Sequence, residues 1–232
     1  MFVTSRRLWW GLVVLVVLLV ALGALVPVVA NGVPASPLIT TLALPPVRFV
    51  RDIAATLTVG CVVVGGLVVP DRSARVLGWS TGWAVVWLVA VVAQAVLTLS
   101  DVLAASIPEA LDPSTMWSFL SSVTLGRVFL WQAVAAALVL LLGRAVISAP
   151  TAWVVVLIAA AGASLPGLVG HGGLSHGHVA ATLSLSAHLL AVSLWLGGLA
   201  AVVAYVRIEP DRAAAVLPRF SMMALGSVIL VA

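Results

Sequence analysis

Four histidines carry most of the chemistry available to this chain. His171, His176 and His178 fall within eight residues and are interleaved with Gly170, Gly172, Gly173 and Gly177, and His188 follows ten residues later. Imidazole is the commonest metal ligand and suits copper and zinc. Glycines let a short loop turn its histidines toward one point, because they reach backbone angles other residues avoid. If the chain is helical from His178 onward, His188 lies about 15 Å further along it. The loop and His188 then cannot share one ion, and would serve as successive stations, an outer collecting site and a deeper one. On the same helix Ser184, His188, Ala191 and Trp195 recur at intervals of four, three and four residues, which places them on one face. That face is either a binding face or a packing face whose histidine bonds a neighbouring helix; His188 is expected near mid-bilayer, facing the bundle toward Gln94 or Gln132.

The other candidates are few. Gln94, Gln132 and Arg127 are the remaining polar groups expected inside the apolar spans or at their ends, where such groups are costly and usually functional. Thioethers favour Cu(I), so Met116, Met222 and Met223 are weaker candidate ligands, although single methionines more often fill gaps. There is no Cys-x-x-Cys, no glycine-rich phosphate loop and no Ser/His/Asp arrangement suited to hydrolysis. A non-enzymatic protein is expected.

The elements that position these residues must be membrane helices. Of 232 residues, 63% are hydrophobic and only 8% charged, with a mean hydropathy of +1.28. A soluble domain carries about a quarter charged residues, so a soluble enzyme, a disordered tail and a nucleic-acid-binding domain are excluded. The pI of 11.0 rests on arginine alone, and a net charge of +4 is better explained by membrane topology than by a nucleic-acid partner. The single cysteine, Cys61, cannot make an internal disulfide.

A spanning helix needs about 20 mostly apolar residues. Such runs occur at Leu8–Val29, Ile53–Val69, Trp79–Leu99, Leu125–Leu142, Ala152–Val169 and Val179–Val206. A seventh begins near Phe220 and is still apolar at Ala232. The expected fold is all-α: a polytopic transmembrane bundle with six complete spans and a truncated seventh. Residues 1–232 form one transmembrane domain, read as a C-terminally incomplete fragment of a longer protein. The first span is long for a cleaved signal peptide and is expected to be a retained anchor in the lipid bilayer.

With the N-terminus in the cytoplasm, the inner segments hold Arg6, Arg7, Arg72, Arg75, Arg144, Arg207, Arg212 and Arg219, and the outer ones Arg48, Arg51 and Arg127. This is a positive-inside bias. It places Asp101, Glu109 and Asp112 in the longest outer loop and the histidine cluster on the outer side. Trp9, Trp10, Trp79, Trp83, Trp117 and Trp153 lie near span ends, as interfacial anchors do. Gly65-Gly66 and Gly197-Gly198 would permit close helix approach. Pro70–Leu77 and Pro210–Leu217 echo each other at six of eight positions, either as a remnant repeat or as two good turn and helix-start signals.

The stretch from His171 to Tyr205 resembles the CopD/PcoD family of copper resistance and copper uptake membrane proteins. The residues that carry the resemblance are Ser186-Ala187-His188-Leu189-Leu190 and then Ser193-Leu194-Trp195-Leu196-Gly197-Gly198-Leu199. His188, Trp195, Gly197 and Gly198 match the family pattern of a histidine followed by a tryptophan and a Gly-Gly step, and His178 looks like the histidine that opens this helix. The resemblance implies copper ion transport, in the import direction, or copper delivery across the cytoplasmic membrane. His171, His176, His178 and His188 would be the metal ligands, and Trp195, Gly197 and Gly198 packing or pathway residues. It also implies work in concert with a CopC-like periplasmic copper carrier. In the actinobacterial branch, which the earlier spans resemble, the domain is often fused to a CtaG-like cytochrome oxidase assembly domain. Two other readings stay open: a membrane scaffold for cytochrome oxidase assembly, and a haem-binding electron carrier, although every histidine here lies on one loop–helix unit.

Overall fold

The computed structural model describes Leu18 and residues 36–146, 148–169 and 178–231, the side chains of 178–181, 228, 230 and 231 excepted. The described residues contain helices and turns and no strand. Helix α1 spans Leu38–Val63 and continues as a π-helical segment, Val64–Val68; α2 is Ala74–Leu103. The short α3 (Ile107–Ala110) and α4 (Pro113–Ser122) follow, then α5 (Thr124–Leu142) with a 3-10 turn Gly143–Ala145. Helix α6 (Ala149–Ser164) ends in a second 3-10 turn, Leu165–Val169. Helix α7 (His178–Val192) passes through the π-helical segment Ser193–Gly197 into α8 (Gly198–Ile208), and a Pro210–Arg212 turn leads into α9 (Ala213–Val231).

Five of these units are long and apolar enough to cross a membrane: Leu38–Val68, Ala74–Leu103, Thr124–Ala145, Ala149–Val169 and Thr182–Ile208. They correspond to the second through sixth expected spans. The expected first span, Leu8–Val29, lies outside the described residues except for Leu18. The seventh run starts earlier than expected, at Ala213, and carries Pro218 within its helix.

The second expected span needs a larger correction. Helicity begins at Leu38, fifteen residues before Ile53, so Arg48 and Arg51 sit inside α1 and not in an outer segment. Pro45 and Pro46 lie within this helix. Proline removes the bond to the carbonyl one turn earlier, but neighbouring helices and hydroxyl side chains make such interruptions tolerable in membranes. Here Thr40 Oγ1 and Ser100 Oγ share a buried 2.8 Å hydrogen bond that ties the first turn of α1 to the end of α2.

Helix α1 lies along α2 and is flanked by α6 and by the α7–α8 unit; α2 also packs on α5, and α5 on α4 and α6. The core is built from small and β-branched residues, among them Ala54, Val59, Val62, Val76, Ala84, Ala136, Val139, Ala152 and Val202, with Trp87 fully buried among them. Small residues let apolar helices approach closely, which drives association in lipid through van der Waals contact.

The turns sort to two ends. At one end Arg212 Nη1 bonds Asp71 Oδ2 at 2.9 Å and Arg75 Nη1 meets Glu209 Oε1 at 3.3 Å. Arg72 and Arg144 line one cavity there. The two echoed Pro-Asp-Arg turns are therefore direct neighbours. At the opposite end Ser36 Oγ donates to the Asp101 carbonyl at 3.1 Å, beside α3 and α4. Glu109 and Asp112 serve as helix caps, whereas Asp101 lies in the last turn of α2. Glu109 Oε2 accepts from Ser106 N–H at 3.1 Å, and Asp112 Oδ2 accepts from Thr115 N–H at 2.9 Å and from the Ser114 and Thr115 hydroxyls. Those bonds to the ionised form pull the Asp112 carboxyl down to about 2.

Candidate functional site

His171 and His176 lie outside the described residues. His178 opens α7. From His178 to Ile208 the α7–α8 unit is about 45 Å long at 1.5 Å per residue, and its far end is tied by Glu209 to the arginine-rich end. His178 therefore sits at the opposite end, with the acidic helices.

His188 is exposed on α7, and among the described residues it makes no hydrogen bond. Ser184 and Trp195 are exposed with it, Trp195 at 47%, while Ala191 is buried. Three of the four stripe positions thus face away from the bundle, and the expectation that His188 turns toward Gln94 or Gln132 is not met. The inward face of this unit is formed instead by Ala191, Ser193, Gly197 and Gly198. The inner side of this unit approaches its neighbours through Ser193, whose hydroxyl is folded back onto the Leu189 carbonyl at 2.8 Å, and through the glycines that follow.

Gln94 and Gln132 are themselves buried, 2% and 1% exposed, but they belong to the α2–α5–α6 interior. Gln132 Nε2 donates to the Gly162 carbonyl at 3.2 Å, and a side chain on Gly162 would strike the Trp87 ring. Gln94 Oε1, Gln132 Oε1 and Trp87 Nε1 have no partner among the described residues. Met116 packs partly buried against the core and Met223 lies against Gly198, whereas Met222 is exposed.

Gly197 and Gly198 sit where a side chain could not. A methyl on Gly197 would overlap the Thr56 carbonyl, and one on Gly198 would press on Phe220 and Met223. Gly60 on α1 is the partner of this crossing.

One polar feature was missed in the sequence. Arg51 is buried inside α1, and its Nε donates to Asp52 Oδ1 at 2.9 Å. Adjacent opposite charges that neutralise each other could have flagged it, since a paired arginine is far less costly in a span than a lone one. Asp52 lines a cavity of about 320 Å³ between α1 and α7, with Thr56, Leu189, Val192 and Ser193. His188 immediately precedes Leu189. The residues toward the other side of α7, Leu190 and Leu194, line an apolar cavity of about 630 Å³ with Val63, Trp153 and Met222. Among the described residues no three His, Cys, Asp or Glu side chains are grouped to hold a metal ion.

These features define a multi-pass helical membrane protein whose polar groups are sparse and sorted by end. The family comparison makes this more specific. The pattern of the copper resistance protein D-like family, N-terminal domain, matches residues 38–182. That is more than half of the chain, and the chain belongs to this family. The match includes His171, His176 and His178 and stops before His188, Trp195, Gly197 and Gly198. No curated protein and no solved structure matches the chain significantly.

Proposed function

We propose that this protein carries copper across the cytoplasmic membrane, in the inward direction, or delivers it there, and that copper is its cargo. Membership of a copper resistance family is the observation that carries this reading. The arginine-rich end, with Arg72, Arg75, Arg144 and Arg212, is the cytoplasmic one by the positive-inside rule. On that orientation the N-terminus is cytoplasmic and His178 opens the α7–α8 unit on the outer face, where a CopC-like periplasmic carrier would hand over the ion. Copper delivery to cytochrome oxidase assembly would draw on the same outer site.

His171, His176 and His178 are the capturing ligands in this reading. His188, about 15 Å along the helix from His178, takes the ion as a separate station on the exposed side of α7 and not inside the bundle. Gly167 lies against Ser186 on α7, two residues along the helix from His188. His171 follows Gly167 by four residues, a reach of at most about 14 Å. Ligation needs neutral imidazole, so copper affinity falls as acid protonates the ligands.

The test is copper binding by the full-length protein with all four histidines changed to alanine. Affinity is expected to fall at least about tenfold, the equivalent of losing one strong ligand. Unchanged affinity sinks the ligand set. Whole-cell copper separates transport from scaffolding: a scaffold's deletion lowers oxidase activity and leaves cytoplasmic copper unchanged.

A further inference from the structure

A cavity of about 540 Å³ opens at the arginine-rich end, lined by Asp71, Arg72, Leu77, Gly78, Arg144 and Val146. Its charge balance is unusual. Asp71, the only acid in the lining, is engaged by Arg212 at 2.9 Å. Arg75 close by is engaged by Glu209. Arg72 and Arg144 are left without an acidic partner among the described residues.

Arg72 is also strained and incompletely satisfied. Its φ is 49°, a left-handed conformation that a non-glycine residue adopts at a cost. Its Nε is buried and has no hydrogen-bond partner among the described residues. A buried guanidinium donor left empty costs more than a neutral one. An anion in the cavity would answer both guanidinium groups, and arginine matches phosphate oxygens with two parallel bonds. Helix α2 begins at Ala74 on the same wall, so its positive end adds to the field.

The rest of the lining says which anion. Leu77, Gly78 and Val146 make one side apolar, and a side chain added at Gly78 would meet nothing within 4 Å. A free phosphate ion has no use for an apolar wall at the end of a membrane bundle. A phosphodiester with acyl chains attached does.

We infer that this cavity binds the phosphate of an anionic phospholipid, held by Arg72 and Arg144, with its glycerol and first methylenes along Leu77, Gly78 and Val146. Occupation would brace the junction of the two Pro-Asp-Arg turns against the α5–α6 turn. The site is independent of the copper reading and stands whichever ligands the histidines provide.

Native mass spectrometry of the full chain, released from nanodiscs of phosphatidylglycerol or phosphatidylcholine, tests this. Wild type is expected to retain phosphatidylglycerol in preference to phosphatidylcholine, and millimolar inorganic phosphate to leave it bound. Arg144→Gln is expected to cut retention about tenfold, the scale of one charge-assisted pair. Arg72→Gly relieves the left-handed backbone while deleting the guanidinium, so it should fold at least as well as wild type and still lose the lipid. Arg207→Gln, which leaves the cavity lining intact, should retain it. Equal retention of both lipids, or full retention by both cavity variants, overturns the proposal. Displacement by inorganic phosphate overturns the lipid as occupant and identifies free phosphate instead.

Discussion

The backbones of Gly60 and Gly197 meet where α1 crosses the π-helical segment after α7, with no room for a side chain on either. A methyl group on Gly60 would overlap the Gly197 carbonyl carbon and crowd Gly198 N. Backbone atoms cannot rotate aside as a side-chain tip can, so the helices must move apart. Gly60→Ala is therefore expected to destabilise by about 1–3 kcal/mol. Gly82→Ala, at a position with nothing within 4 Å, should be neutral or stabilising by up to about 1 kcal/mol. Thermal melting in detergent compares the two; equal midpoints would mean that the crossing is looser than described.

This crossing also marks how much the sequence alone could say. Gly197-Gly198 stands out as a pair between apolar residues, but Gly60, a single glycine in an apolar run, carries no comparable signal. Hydropathy located the spans from Trp79 to Val206 well, since only single polar residues such as Gln94, Gln132 and His188 interrupt them. It failed at α1, where Pro45, Pro46, Arg48, Arg51 and Asp52 look like a loop and yet lie within the helix, Thr40 bonded to Ser100 of α2 and Arg51 paired with Asp52. The Pro70 and Pro210 echo was visible, but pairing of Asp71 with Arg212 is a long-range fact that no local pattern encodes. His188 shows the same limit. Its period placed it on a face with Ser184, Ala191 and Trp195; Ser184, His188 and Trp195 are exposed together while Ala191 is buried, and periodicity does not say which face turns inward when the whole helix is apolar.

Asp112 should make α4 sensitive to acid. Its folded carboxyl lies near 2, below the unfolded value of about 3.9. A depressed folded value means the stabilisation is complete above the unfolded value and lost as pH falls toward 2. The Thr115 amide resonance is expected to shift over that window as its bond to Asp112 weakens. Asp112→Asn keeps a capping oxygen and should remove the shift. A wild-type resonance that moves only around pH 4 would show that the cap does not stabilise the ionised form.

The Asp71–Arg212 bridge is exposed on both sides, so its contribution is small and screened by salt. Asp71 raises the Arg212 guanidinium value through a hydrogen bond and its charge. Asp71→Arg should lower the melting midpoint slightly at low salt, where it sets two cations side by side. Adding Arg212→Asp should restore it. Failure of the exchange to rescue, at low salt and high salt alike, would show that the two turns are not held by this pair.

The last expectation separates Gln132 from His188, both polar groups within apolar spans. Gln132 is 1% exposed, and its amide donates to the carbonyl of Gly162. That carbonyl belongs to the last turn of α6, where helix carbonyls lose their own partners. Gln132→Leu thus orphans a buried acceptor and should destabilise by about 1 kcal/mol, the scale for a hydrogen bond between membrane helices. Copper affinity of the same variant should be unchanged, since no histidine touches Gln132 among the described residues. His188→Ala should behave in the opposite way. Its side chain is exposed and buries no packing surface of consequence, so stability should change by no more than about 0.5 kcal/mol, while copper affinity drops. If His188→Ala melts early and binds copper like wild type, His188 is a packing residue and the ligands must be sought among His171, His176 and His178 alone.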